Sequence, residues 1–504
     1  MASLFSVPLE VLLLITSYLS TPEYGCLRLT CNMLEARLFG DFAREFFSKR
    51  QFALVEFSIQ ALVDIAKSRL GPSLTHLIIH LEHPMVSAMG GVVSRMSVEQ
   101  AVQYNHYQAE CIKHEEFIST GLDVEMLSDA IRHLPNLETV GMRDFYSNSR
   151  NHDNTAWNSY GCPTFCESIR RAFGPHDSSS IMSTRDHDTE YTSHVFLTIL
   201  RAIGNAAVSG YGTKLTRIEV LLHICHFRDL SFKIPNRYTP EVSLALSKIT
   251  HLLLDGLSEE YPHFLVSDDD DKGRSVIAAG YFLSRFLAKT PALTHLRLNF
   301  RLYRPASVER FLLWLASARV DSVDTIANSV DPFELTTTPG SLPAHFPPGP
   351  EFPNLSNLDI GMATVPEHVL LALLTKYKST LQGVSLHKIK LFYGEYTKIN
   401  LWARLCNRMT EVDLELKKLS LSYLRQISAG IRLGHVTFKG SGNRDMKTWR
   451  GTAFSQGMKD LTDEMESHWQ DSGNDDDDDD DDDDEDDDND DSLLNPSDLE
   501  DFDE

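Results

Sequence analysis

One apolar pattern recurs nine times along the chain and limits what it can fold into. Written Φ-x-x-Φ-x-Φ, with Φ apolar, it reads LTHLII from Leu74, LETVGM from Leu137, LTRIEV from Leu215, ITHLLL from Ile249, LTHLRL from Leu293, LSNLDI from Leu355, LQGVSL from Leu381, MTEVDL from Met409 and LGHVTF from Leu433. The closing alternation has period two, which predicts a short strand with one buried face. Before most of these strands lie stretches of helical periodicity, at 60–69, 124–134, 195–207, 275–289, 308–318, 367–378, 401–408 and 421–431. A single strand–helix unit cannot bury its own apolar face, so such units stack into a parallel-stranded solenoid. The expected fold class is therefore α/β. A doubly wound sheet also alternates strand and helix, but one register recurring nine times favours the solenoid.

Residues 7–34, VPLEVLLLITSYLSTPEYGCLRLTCNML, precede the first repeat. Val11 to Ile15, Tyr18 and Leu19 cover nearly the whole circumference of a helix rather than one stripe. Thr16, Ser17 and Ser20 end the run well short of the ~20 residues that a membrane span needs. Nothing before Pro8 is charged, so a secretory n-region is absent as well. The remaining reading is a helix held between its own domain and a partner protein. Pro8 suits the first helical turn and Glu10 complements the helix dipole. Thr21 is expected to cap a second helix with Pro22 at its first position. A third follows, with Leu34, Leu38, Phe42 and Phe46 at four-residue steps.

In this stretch the chain resembles the F-box family. Pro8, Glu10, Val11, Leu12, Ile15, Ser17, Leu19, Pro22, Leu27 and Cys31 match the family's pattern, while Val7, Gly25 and Leu34 depart from it, Leu34 standing where a Trp is usual. The resemblance covers about the first tenth of the chain. Its repeats resemble the irregular leucine-rich repeats that follow F-boxes in fungal proteins. The repeat starts are 63, 78, 34, 44, 62, 26, 28 and 24 residues apart. The last three intervals fall in the ~20–29-residue range of leucine-rich repeats, and the longer ones read as repeats carrying insertions.

The expected domains are thus a helical F-box-like module at 1–50 and an irregular solenoid at 51–442 with insertions at 152–192, 267–273 and 331–353. A capping helix at 443–470 and a disordered Asp-rich tail at 471–504 complete the chain. The tail holds 22 acidic residues and no Lys or Arg. It accounts for most of the net charge of −25, leaving 50 acidic against 47 basic residues before it. The folded part carries no basic field for nucleic acid. The tail has too little apolar surface to fold, and either acts as a charge brush or holds a basic protein partner. Seven cysteines without a signal peptide fit a reducing compartment, cytoplasm or nucleus.

Nucleotide-loop, nucleophile-elbow and zincin motifs are missing, so no catalytic residues and no cofactor are expected. Cys162 and Cys166 form a C-x3-C pair flanked by His152 and His176, a weak zinc candidate without a hydrophobic framework, and no metal is expected. Residues alternating with the buried strand positions face the concave side of a solenoid, where partners dock. They include His76, Arg217, His251, His295, Arg297, Asn299, Asp359, Glu411, Asp413 and His435.

The F-box resemblance implies a non-catalytic receptor of an SCF-type (Skp–cullin–F-box) ubiquitin ligase. Pro8, Leu9, Val11, Leu12, Ile15, Leu19, Leu27 and Cys31 would bind a Skp-type adaptor, and through it a cullin, while the repeats bind a protein substrate. Neither nucleic acid nor membrane is an expected partner. Two alternatives remain. One is a GTPase regulator, since repeats followed by an acidic tail resemble the activator of the Ran GTPase; the other is an F-box scaffold without degradative output.

Overall fold

The computed structural model describes residues 7–84, 97–146, 151–154, 158–164, 167, 189–210, 214–259, 280–317, 347–394, 397–428, 431–440 and 443–470. Cys166, His176, the 267–273 insertion, most of 331–353 and the acidic tail lie outside them. The chain divides into two compact units, Met1–Glu138 with Arg143–Ser183, and Thr139–Met142 with Thr184–Ser472. Together they make a mixed α/β protein with a large, mostly parallel sheet. No described helix is long and apolar enough to cross a membrane.

The first unit opens with α1 (Leu9–Thr16), α2 (Thr21–Leu29) and α3 (Asn32–Phe47), the three helices predicted from 7–46. Leu12, Tyr24, Leu34, Leu38 and Phe46 form their shared core. The second helix is capped one residue earlier than expected. The Glu23 carboxylate accepts from both the Ser20 amide (2.9 Å) and hydroxyl (2.7 Å), so Ser20 takes the cap and Thr21 is already helical. This reciprocal box satisfies amides that the Thr21 choice would leave open. Then follow β1 (Lys49–Ala53), α4 (Glu56–Lys67), β2 (His76–His80), α5 (Val98–Ser119) and α6 (Leu122–Arg132). β1 and β2 pair in parallel with Lys49 opposite His76.

The second unit contains β3 (Thr139–Arg143, its last residue excepted), α7 (Thr189–Val208), β4 (Arg217–Leu221), β5 (Phe227–Arg228), α8 (Thr239–Leu246), β6 (His251–Leu254), β7 (Leu257–Ser258), α9 (Tyr281–Leu287), β8 (His295–Asn299), α10 (Pro305–Ala316) and β9 (Asn357–Gly361). It continues through β10 (Thr364–Pro366), α11 (Glu367–Lys376), β11 (Gly383–His387), β12 (Lys390–Tyr393), α12 (Leu401–Glu411), β13 (Lys418–Ser422), β14 (Leu424–Ser428), β15 (Ile431–Phe438), β16 (Met446–Arg450), α13 (Phe454–Glu464) and β17 (Met465–Gln470). Strands β4, β6, β8, β9, β11 and β13 lie side by side, all parallel, and β16 closes that edge antiparallel. A second sheet, in the order β10-β12-β14-β15-β17, is parallel through β14 and antiparallel beyond it. Helices pack apolar faces inward. Phe196 of α7 meets Phe227 edge-on at 4.7 Å between ring centres, and Phe232 and Phe286 extend the cluster.

The C-terminal repeats differ from expectation. Residues 409–414 do not form a strand: Met409 and Glu411 finish α12, and Asp413 sits in the turn with φ 54°. The strand lies further on, with Leu416, Leu419 and Leu421 buried in the Φ-x-x-Φ-x-Φ positions. Among the described residues of 421–431, 421–422 end β13 and 424–428 form β14 rather than a helix, with burial of Leu424, Gln426 and Ser428 alternating at period two. Residues 443–470 are strand–helix–strand instead of one capping helix.

Candidate functional site

Three features converge functional side chains: the outer face of α1–α3, one row of the parallel sheet, and a buried cluster at the end of β2. On α1, Leu12 is wholly buried and Thr16 lies beside it, so this side faces the core. Val11, Leu14 (59% exposed), Ile15 and, just past the helix, Tyr18 (83% exposed) stand at the i, i+3, i+4, i+7 spacing on the opposite side. An isolated exposed Leu is ordinary, but a contiguous apolar stripe marks an interaction surface. Leu9, Leu29 and Met33 are exposed as well.

Of the residues predicted to meet an adaptor, Pro8, Leu9, Val11 and Ile15 are exposed, while Leu19, Leu27 and Cys31 are half-buried against the core. Leu12 belongs to the core, where it supports the surface without forming part of it. Leu14 and Tyr18 were hidden in the sequence because the run 11–15 is apolar all round, which leaves the outward face undefined. The stripe is held by polar ties behind it. Arg28 reaches Glu35 at 2.7 Å and lies 4.2 Å from the Phe42 ring centre, joining α2 to α3. His152 bonds Leu19 O at 2.8 Å and Glu45 at 2.5 Å, and the Asp153 carboxylate accepts from the Thr21 amide.

The parallel ladder places the third position of successive repeats in one row: Arg217 opposite His251, His251 opposite His295, His295 opposite Asn357, Asn357 opposite Gly383 and Gly383 opposite Lys418. In the next row Arg297 faces Asp359. Cross-strand pairs fill these rows. His295 bonds Asp359 at 2.8 Å, Arg297 bonds Asp255 at 3.0 Å, and Asn299 donates to the other Asp255 oxygen at 2.8 Å. Burial pushes the Asp255 carboxyl above the usual range, with Arg297 pulling the other way. The His251 and His295 rings meet edge-on at 5.8 Å. Asn299 and Asn357 each lie over a glycine of the next strand, Gly361 and Gly383, whose missing Cβ leaves room for the carboxamide.

Arg217, His251, His295, Arg297, Asn299 and Asp359 therefore do share one sheet face. His76 lies in the first unit, on β2. Glu411 and Asp413 fall at the end of α12 and in the turn after it, and His435 sits in the antiparallel second sheet opposite Arg425, so none of these three joins the row. Their assignment followed from reading 409–414 and 433–438 in the parallel register.

Cys162 does not meet His152, which is engaged by Glu45 and Leu19. It lies instead beside His80 and Glu82, all three buried. Sequence spacing could not reveal this set, because Cys162 stands far along the chain from His80 and Glu82.

Comparison of the chain with protein-family models and with curated proteins finds no match.

Proposed function

We propose that this chain is the substrate receptor of an SCF-type ubiquitin ligase. In this reading α1–α3 dock on a Skp-type adaptor that links to a cullin, and the parallel-strand face of the second unit, an irregular leucine-rich-repeat surface, receives a protein substrate in the cytoplasm or nucleus. The chain performs no bond chemistry and contributes proximity between target and ubiquitin-charged enzyme. The observation that carries the reading is the Val11–Leu14–Ile15–Tyr18 stripe, exposed above a core that Leu12 and Tyr24 already close. A module whose inside is complete has no folding use for four more apolar side chains on its outside. The shared row of repeat positions supports the repeat reading, since stacked units in one register present a continuous strand face.

The test is affinity purification of the full chain with mass spectrometry, comparing wild type with Ile15→Asp and Leu14→Asp. A Skp-type adaptor is expected with wild type and lost from both variants, whose far-UV circular dichroism and melting temperature stay unchanged. Hot-spot truncations in such apolar patches cost about 2 kcal/mol or more, some thirtyfold in affinity. An adaptor that is absent from wild type, or retained by folded variants, overturns the reading.

A further inference from the structure

His80, Glu82 and Cys162 bring three different donor atoms to one buried point in the first unit. β2 ends at His80, and Glu82 two residues on returns its side chain to the same side. Cys162 follows Gly161, whose left-handed φ of +98° disfavours any side chain and where an added Cβ would come within 2.9 Å of Ser58 Cβ. That turn seats the thiol 3.6 Å from His80 Nδ1. Glu82 Oε2 lies 3.9 Å from the same nitrogen, and all three donor atoms fall within 4.8 Å of one another. Zinc–sulfur and zinc–nitrogen bonds of about 2.3 and 2.0 Å give tetrahedron edges of about 3.5 Å for S···N and about 3.3 Å for N···O. The S···N edge already matches and N···O exceeds its target by about 0.6 Å, while S···O, within 4.8 Å, would draw in by up to about 1.2 Å on binding one ion.

A nucleophilic relay is a poorer description. A Cys–His–acid relay places the thiol at one imidazole nitrogen and the acid at the other. Here sulfur and carboxylate both approach Nδ1, which is convergence on a point rather than a chain. The Glu82 amide donates to Nδ1 at 3.0 Å, so the ring proton belongs on Nε2 and the lone pair faces the cluster. A cation would take that lone pair over from the amide. Thiolate and carboxylate together carry two negative charges, matching a divalent ion. Tyr146 steadies two donors at once: its ring stacks on His80 at 4.8 Å and 19°, and its hydroxyl donates to the Glu82 carboxylate. Outer partners that orient ligands in this way tune metal affinity about 10–100-fold. Tyr146 is itself partly exposed and covers the cluster, whose three residues are buried.

We propose that His80, Glu82 and Cys162 bind one zinc-class divalent cation, its fourth position filled by water or a further donor, independently of the ligase reading. The full chain, stripped with a chelator, is titrated with cobalt(II) and then zinc. One cobalt per chain with thiolate-to-metal charge-transfer absorption, displaced by zinc, is expected. Cys162→Ser should abolish that absorption, and Glu82→Gln should weaken affinity at least about tenfold. A Cys26→Ser/Cys31→Ser/Cys166→Ser/Cys225→Ser variant should keep it. Wild-type protein without the absorption, or absorption lost in the fourfold variant while it remains folded, overturns the proposal and leaves a hydrogen-bonded cluster only. Absorption that survives in folded Cys162→Ser does the same, and should Cys162→Ser fail to fold, the wild-type and fourfold titrations decide alone.

Discussion

Arg297 on β8 and Asp255 just beyond β6 form a 3.0 Å ion pair across neighbouring strands, with side chains only 15% and 11% exposed. Asn299 donates to the carboxylate's other oxygen. Removing one member of such a pair strands the other's charge in a dry setting. Arg297→Ala is expected to destabilise the second unit by about 3 kcal/mol, read by urea unfolding. Adding Asp255→Asn should restore part of that loss, because the stranded charge is gone. Equal stability of Arg297→Ala and wild type would show that water, not Arg297, satisfies Asp255. A substrate-binding scan of this face should begin at His251 and Lys418 instead, since a loss at Arg297 reports folding first.

Gly25 offers the opposite case. It lies inside α2, and an added Cβ would meet nothing within 4 Å. The glycine costs helix propensity without serving a close approach, so Gly25→Ala should stabilise by up to about 1 kcal/mol. For a unit of this size that is a rise in melting temperature of about 2–4 °C. If adaptor binding also stays intact, Gly25 has no role in the α1–α3 surface either. A fall in stability would mean that α2 needs flexibility at this point.

Much of this architecture was legible in residue spacing. The helices at 9–16, 21–29 and 32–47 follow from proline, capping residues and four-residue steps, and strands β4, β6, β8, β9 and β11 start where the repeats place them. What failed, failed for a physical reason. Leu419 and Leu421 stand two apart as in a strand while Leu421 and Leu424 stand three apart as in a helix, and only pairing with β11 and β16 decides between them. The outward side of α1 was equally undetermined, because five consecutive apolar residues define no face; Leu12 turned inward only when Tyr24 and Leu38 were placed against it. The His80–Glu82–Cys162 cluster lay beyond any local signal, since long-range packing alone assembles it.

Asp229 provides a pH-dependent check on the second unit. Its carboxylate accepts from the Phe282 and Leu283 amides at 3.1 and 2.9 Å, capping α9, yet burial pushes its pKa up to about 7. The folded chain therefore binds this proton more tightly than the unfolded chain, whose ordinary value is 3.8. Stability from this group is present in full below about 3.8 and falls as pH rises toward about 7. Asp229→Asn keeps an acceptor oxygen for the amides and removes the titration. Its stability relative to wild type should increase between pH 4 and pH 7, measured by denaturant midpoints. A pH-independent difference would show that the carboxyl ionises normally in the fold.

His152 titrates with the same sign in a higher pH window, and it bears on how the helical module is held. Both ring nitrogens face acceptors, Nδ1 the Glu45 carboxylate and Nε2 the Leu19 carbonyl, so the protonated ring can satisfy both and the arrangement favours the imidazolium. Burial alone would lower its pKa, but the bonds to Glu45 and Leu19 outweigh burial and raise it above 6.5. The stabilisation is complete below the ordinary value of 6.5 and disappears as pH climbs through the raised one. His152→Ala should therefore melt below wild type at pH 6, and the gap should narrow by pH 9. Glu45→Gln removes the main attraction and should shrink the same gap at pH 6. Because Leu19 closes the turn between α1 and α2, hydrogen exchange of the amides at 18–21 should quicken in His152→Ala at pH 6 and match wild type at pH 9. Exchange that is insensitive to the substitution at both pH values would mean the apolar core of Leu12, Tyr24 and Phe46 holds that turn without His152.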